Sequence, residues 1–265
     1  MIEAFFSLSG IPFGRDVPIE NLWSNDTREE LHSRLRYAAQ QKAFGVFTGD
    51  AGTGKTTAIR RFAASLDTNR FQVLYISDSS LTPRNFYWET LNQLGQLPRF
   101  YRGDAMRQLH KTLEVLTEHE KKTPVIIVDE AHLLSREMLE EIRFLLNVRM
   151  DSLSTLTLIL SGQSELKDTL KLQVNAAITQ RVDIRYHLNA LHKDETVAYV
   201  NAHLAAVHAQ REIFTDAALE LVHVFCEGVP RRINKLAISS LMTAASRKTP
   251  LVDDHLVHLV IEREF

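Results

Sequence analysis

Between residues 43 and 188 the chain alternates short, continuous apolar runs with stretches of helical period. The apolar runs are "AFGVFTG" (43–49), "FQVLYIS" (71–77), "PVIIVDE" (124–130), "TLTLILSG" (155–162) and "VDIRYHL" (182–188). Helix-period stretches separate them: Lys55 to about Leu66, "PRNFYWETLNQLG" (83–95), "SREMLEEIRFLLNVRM" (135–150) and "SELKDTLK" (164–171). Runs of Val, Ile and Leu too continuous to have a wet face predict buried parallel strands. The helices between them predict crossover connections. The reading is an α/β fold, a parallel sheet flanked by helices. An amphipathic run, "REELHSRLRYAAQQ" (28–41), predicts a helix ahead of the first strand.

After Leu191 the pattern becomes helical throughout: "HKDETVAYVNAHLAAVHAQ", "TDAALELVHVFCEG", "PRRINKLAISSLMTAAS" and "DDHLVHLVIERE". Thr215 and Asp253 are expected N-caps, Gly228 a residue just past a helix end, and Pro230 a first-turn proline. Three regions follow: a lead-in and helix packing on the core (1–40), an α/β domain (41–190) and a small all-helical domain (191–265).

Composition narrows the classes. The chain has 265 residues, 45% of them hydrophobic, and a formal net charge of −2. It is not coated in positive charge, so a nucleic-acid contact has to be a local patch. One cysteine, Cys226, cannot close an internal disulfide and suits a reducing, cytoplasmic setting. No run approaches the roughly 18 apolar residues of a membrane span, and the N-terminus lacks the pattern of a signal peptide.

The chemistry is concentrated at strand ends. "GDAGTGKT" (49–56) fills G-x-x-x-x-G-K-[ST] between an expected strand and an expected helix. Gly49, Asp50, Ala51, Gly52, Thr53 and Gly54 would wrap phosphates with backbone N–H groups, helped by the helix N-terminus that carries Thr57. Lys55 would reach the β- and γ-phosphates of ATP, and the Thr56 hydroxyl would ligate Mg²⁺. In "VIIVDE" (125–130) two carboxylates follow four apolar residues at the strand edge where open α/β sheets bind ligands. Asp129 is the expected second Mg²⁺ holder, and Glu130 the base for the attacking water. The string "DEAH" (129–132) belongs to tandem two-domain helicases, for which this chain is too short. His132 is read as a local polar contact.

The fourth strand ends in Ser161 and Gln163, either of which could hydrogen-bond the water or the γ-phosphate. Arg181 ends a helix just before the last strand and could reach a neighbouring subunit's γ-phosphate, with Arg185 as the alternative. With "GVPRRIN" (228–234), "IIVDEAHLL" (126–134) and "LILSGQSEL" (158–166), the phosphate loop resembles the AAA+ ATPases of the ExeA/GspA type. That group includes transposase-associated regulators of the TnsC, TniB and MuB kind. The lead-in "FFSLSGIPFGRDVP" (5–18) is similar to theirs as well. The resemblance implies a P-loop AAA+ core, a helical lid and subunits assembled as a ring or helical filament. It assigns the sensor-2 role to Arg231 and the trans-acting finger to Arg181.

Secretion-type relatives carry membrane and cell-wall-binding portions that this sequence lacks. The expectation is therefore a regulator of DNA transposition that assembles on duplex DNA with ATP and stimulates a partner transposase. The alternative is an ATPase module of a secretion or other protein machine. Candidate phosphate contacts are Thr82 and Arg84 after the second strand, and Arg99, Arg102, Arg107 and Lys111 in "RFYRGDAMRQLHK" (99–111). In the "PRRINKLAISSL" helix, Ile233, Leu236, Ala237, Ser240 and Leu241 form the inner stripe. At ~100° per residue both Arg231 and Arg232 escape it, so packing accounts for neither.

Overall fold

The computed structural model describes residues 2–14, 17–78, 81–146 and 154–265, which form two compact units. One unit comprises Thr27–Ala51 and Lys55–Leu188. The other comprises Met1–Asp26, Gly52–Gly54 and Asn189–Phe265. Residues 15–16 of the lead-in stretch 5–18 and 147–150 of the stretch 135–150 lie outside the described residues.

In the first unit, five parallel strands stand in the order β2-β3-β4-β1-β5. They are β1 (Phe44–Gly49), β2 (Phe71–Ile76), β3 (Thr123–Val128), β4 (Thr157–Gly162) and β5 (Ile184–Leu188). Each expected strand is present. The last begins two residues late because the Asp183 carboxylate, not its backbone, accepts from the Phe44 N–H at 2.8 Å. The helices are α2 (Asp26–Gln41), α3 (Lys55–Ser65), α4 (Pro83–Gln93), α5 (Arg102–Glu118), α6 (Arg136–Leu145), α7 (Ser164–Lys171) and α8 (Ala176–Thr179).

Strand parity sorts the core into two layers. Val125, Ile127 and Ile159 face α2 and α3, packing with Leu35, Ile59 and Phe62. Ile126, Val128, Leu158 and Leu160 face α4–α7, packing with Phe86, Leu91, Leu109 and Ile142. These side chains are essentially inaccessible, and each contributes about 1.5–3 kcal/mol by burial. The strand order puts β4 between β3 and β1. The carboxyl ends of these three neighbours carry the phosphate loop, Asp129 and Ser161.

The second unit contains α1 (Ile2–Phe6), α9 (Lys193–Ala206), α10 (Asp216–Cys226), α11 (Pro230–Ser246) and α12 (Asp254–Glu264). Thr215 and Asp253 cap α10 and α12, their side chains accepting from the N–H groups of Ala218 and Leu256. Pro230 opens α11. The lead-in divides between the two units. Residues 27–40 join the α/β core through α2, but Ile2, Phe6, Leu8 and Phe13 enter the core of the helical unit, where Phe13 stacks on His203. Their spacing marks them as apolar without saying which core takes them. Among the described residues, no helix is long and apolar enough to cross a membrane.

The turn after α10 bends through two left-handed residues, Glu227 (φ 53°) and Gly228 (φ 70°). A Cβ on Gly228 would fall 2.0 Å from the Leu191 carbonyl oxygen. Gly228→Ala should therefore lose about 3 kcal/mol, from left-handed strain plus the backbone clash. Urea unfolding would show this as a lower midpoint at an unchanged slope.

Candidate functional site

The loop after β1 is built for close approach. Gly52 and Gly54 take φ values of 84° and 102°, which side chains beyond glycine rarely adopt. Thr53 is buried, while Ala51, Thr56 and Thr57 are exposed around the first turn of α3. The Lys55 ammonium donates to the carbonyls of Gly49 (2.7 Å) and Asp50 (3.0 Å), folding its side chain back along the loop. Asp50 accepts from the Ser164 hydroxyl. Gly52–Gly54 cluster with the helical unit. There the Arg231 N–H donates to the Gly52 carbonyl at 3.2 Å, and a Cβ on Gly52 would come within 2.8 Å of the Arg231 Cβ.

Asp129 is the centre of the site. It follows β3, is 3% exposed, and each carboxylate oxygen accepts two hydrogen bonds. Oδ1 takes the Ser161 hydroxyl (2.8 Å) and the Glu130 N–H (3.0 Å). Oδ2 takes the Thr56 and Tyr75 hydroxyls, both at 2.9 Å. A buried carboxylate needs such donors to offset lost hydration. The pair of a Thr hydroxyl and a carboxylate oxygen is the hard-oxygen set that suits Mg²⁺, which binds few protein ligands and shares its shell with phosphates.

Glu130 stands beside it with φ 53°, a left-handed backbone in a residue other than glycine. Such strain costs on the order of 1 kcal/mol and gathers at functional positions. Its side chain is 43% exposed, and His132 Nδ1 lies 3.6 Å from Glu130 Oε2. The other ring nitrogen, Nε2, is 3.0 Å from the Gln163 side-chain nitrogen. His132 is thus a local polar contact linking Glu130 to Gln163. The two side chains left open at the end of β4 take different places, Ser161 on Asp129 and Gln163 on His132.

The arginines separate too. The Arg181 N–H closes the last turn of α8 onto the Ile178 carbonyl at 3.0 Å, and its side chain is partly buried. The Arg185 guanidinium turns back to the Thr179 carbonyl (2.7 Å), a contact that caps α8. In α11, Arg232 is engaged by Glu227 (2.8 Å) and the Phe225 carbonyl (2.6 Å). It ties α11 to the end of α10. Arg231 is exposed one residue earlier.

Two of the candidate phosphate contacts are paired with carboxylates. Arg102 pairs with the buried carboxylate of Glu141 and, at 3.3 Å, with Glu137. The Glu141 contact raises the guanidinium's proton affinity. The other Glu141 oxygen accepts from the Tyr87 hydroxyl. Arg107 pairs with Asp104, and Arg84 lies over the rings of Phe100 (4.6 Å) and Trp88 (5.0 Å). Thr82 caps α4 by accepting from the Asn85 N–H. Arg99 is held through its backbone by Trp88 and Gln108, and Lys111 is exposed on α5. Carboxylates one helical turn or one helix away, poorly visible along the sequence, neutralise much of this patch.

Tyr75 was not among the expected residues. Alternation in "FQVLYIS" puts Phe71, Val73 and Tyr75 on one strand face. Only the β2–β3 register, with Tyr75 opposite Ile127, puts that face beside Asp129.

The AAA domain family profile matches residues 36–170. The chain is 33% identical over 254 residues, 93% of its own length, to General secretion pathway protein A of Aeromonas hydrophila. It spans only 45% of that protein. Among solved structures it is similar to the ORC2 protein of Aeropyrum pernix in ADPNP–ADP complexes. That match has a TM-score of 0.70 and 16% identity, covering 95% of this chain and 71% of the other. Cdc6p of Pyrobaculum aerophilum matches with a TM-score of 0.71 at 14% identity, over 91% and 67% of the two chains. The RuvB Holliday junction branch migration motor of Thermotoga maritima matches at 0.60 and 16%, over 97% and 72%. At such identities these structures share the fold with this chain. The family profile spans the phosphate loop, the Asp129–Glu130 pair and Ser161, and the chain belongs to the AAA domain family.

Proposed function

We propose that the protein hydrolyses ATP with Mg²⁺ as an AAA+ ATPase of the ExeA/GspA type. The observation that carries this is the convergence of Thr56, Ser161 and the Glu130 backbone on a single buried carboxylate, that of Asp129. In this reading the loop N–H groups from Gly49 to Thr56 hold the phosphates, and Lys55 exchanges its carbonyl contacts for the β- and γ-phosphates. Thr56 and Asp129 hold Mg²⁺, which supplies charge neutralisation on the phosphate oxygens. Glu130 accepts the proton of the attacking water. Ser161 keeps Asp129 oriented, and Gln163, through His132, is placed to report on Glu130. Arg231 senses the γ-phosphate from α11, and Arg181 acts in trans on a neighbouring copy's nucleotide.

The work driven by this cycle is, in our reading, ATP-dependent assembly on duplex DNA, as a ring or helical filament that engages a partner transposase. The motif pattern supports this, as does the fold shared with a branch migration motor and with ORC2 and Cdc6p. The second reading, an ATPase module of a protein-secretion machine without DNA, draws support from the 33% identity to a general secretion pathway protein. The two part company in a retention assay. The DNA reading expects a non-hydrolysable ATP analogue to hold the protein on long duplex DNA at low salt, with little sequence preference. The signal should fall steeply as salt rises, since phosphate contacts release counterions. ATP turnover without any nucleotide-dependent retention would overturn the DNA reading and favour the secretion module.

A further inference from the structure

We propose that Tyr75 is a positioning residue for the metal-side oxygen of Asp129, and that Gln93 on α4 holds it in that role. The inference rests on the nucleotide reading above and deepens it. Three observations carry it.

The first is the shared oxygen. The Tyr75 hydroxyl donates to Asp129 Oδ2 at 2.9 Å, and so does Thr56 Oγ1. A hydroxyl carries one proton and two lone pairs, so Thr56 would use a lone pair for a cation and could keep its donation to Oδ2. Tyr75 is the donor on Oδ2 that has no part in holding the cation itself, while Oδ1 has Ser161 and the Glu130 N–H. Hydrogen bonds to a ligating carboxylate set its orientation and sharpen affinity for the metal.

The second is the phenol itself. Its hydroxyl carries one proton, and against a carboxylate oxygen, which can only accept, the phenol is the donor.

The third is the clamp on its backbone. Among the described residues β2 is an edge strand, with no further strand beside its outward N–H and C=O groups. At Tyr75 one side-chain amide takes the place of that strand. The Tyr75 N–H donates to Gln93 Oε1 at 2.9 Å, and Gln93 Nε2 donates to the Tyr75 carbonyl at 2.8 Å. Gln93 Nε2 also donates to Glu89 Oε1 at 2.7 Å, which fixes the amide on α4. The root of the phenol is thus set from α4 and its tip is set on Asp129. A core-packing tyrosine would need neither contact, and Tyr75 is 38% exposed.

The test follows binding of a fluorescent, non-hydrolysable ATP analogue to the full chain as Mg²⁺ is titrated, with parallel titrations of ATP turnover. Tyr75→Phe should raise the half-saturating Mg²⁺ concentration about tenfold, the low end of what loss of a group supporting a metal ligand costs. Analogue binding in EDTA and the melting temperature should stay at the wild-type level. Gln93→Leu keeps the phenol but removes its clamp, and should shift Mg²⁺ in the same direction by less. It also keeps the proposal open to refutation if Tyr75→Phe folds poorly. Variants with wild-type Mg²⁺ dependence, beside a wild type whose binding does tighten with Mg²⁺, would overturn this proposal alone. So would a loss of turnover at saturating Mg²⁺ with no shift in the titration. A wild type whose analogue binding ignores Mg²⁺ would instead overturn the nucleotide reading on which the proposal stands.

Discussion

Glu130→Gln should retain ATP binding while cutting turnover about 10²–10⁴-fold, the range lost with a general base. The exchange is nearly isosteric, and the carboxylate being replaced is 43% exposed. The backbone features that stay are independent of the side chain: φ 53° at Glu130, its N–H on Asp129 Oδ1, and its carbonyl accepting from the Leu133 N–H at 3.0 Å. Phosphate cradle and metal-side oxygens should therefore survive, and the ATP-bound assembly should persist longer than in the wild type. Steady-state phosphate release and equilibrium nucleotide binding check the two halves of this expectation. Undiminished hydrolysis would remove Glu130 from the role of base.

The second large effect is expected in α11. Arg231→Ala should reduce ATP-driven assembly and turnover about 10–100-fold, the loss of one charge-assisted contact worth about 1.5–3 kcal/mol. Arg232→Ala should leave the nucleotide response near that of the wild type. Instead it removes contacts to Glu227 and the Phe225 carbonyl and should cost up to about 1 kcal/mol of stability, a surface-pair figure given its 41% exposure. Nucleotide-dependent sedimentation and thermal melting separate the two outcomes. Equal losses of assembly in both variants would show that the pair acts as packing rather than as sensor and strut. The structural asymmetry already points one way. The Arg232 guanidinium is spent on the end of α10, whereas the Arg231 side chain is exposed and its N–H donates to the Gly52 carbonyl within the same unit.

How much was readable beforehand follows from the range of each interaction. The five strands and the helices between them were legible because apolar period is a local property, felt within one turn or one pleat. The caps at Thr215 and Asp253 were legible for the same reason, as each side chain bonds an N–H three residues on. The phosphate loop and the Asp129–Glu130 pair were legible because each element of that chemistry comes from one contiguous stretch. The choice between Ser161 and Gln163 was not, since both end the same strand. What separates their environments is the approach of β3 and of His132. Nor was the neutralisation of Arg102, whose carboxylate partner Glu141 lies on a different helix, packed on the same sheet face.

From sequence alone, then, one could establish the class of chemistry, the strand ends that carry it and the helical character of residues 191–265. These depend on side-chain type and spacing over at most a few turns. The fold was needed to assign partners across strands and helices. It sent Phe6 and Phe13 to the helical core, turned most of a basic-looking helix into ion pairs, and gave Arg232 a structural task. It also brought Tyr75 to Asp129, 54 positions apart. The last of these hinges on the β2–β3 register, in which a shift of one residue would turn Tyr75 to the opposite face. Local sequence does not set that register. The packing of both sheet faces does.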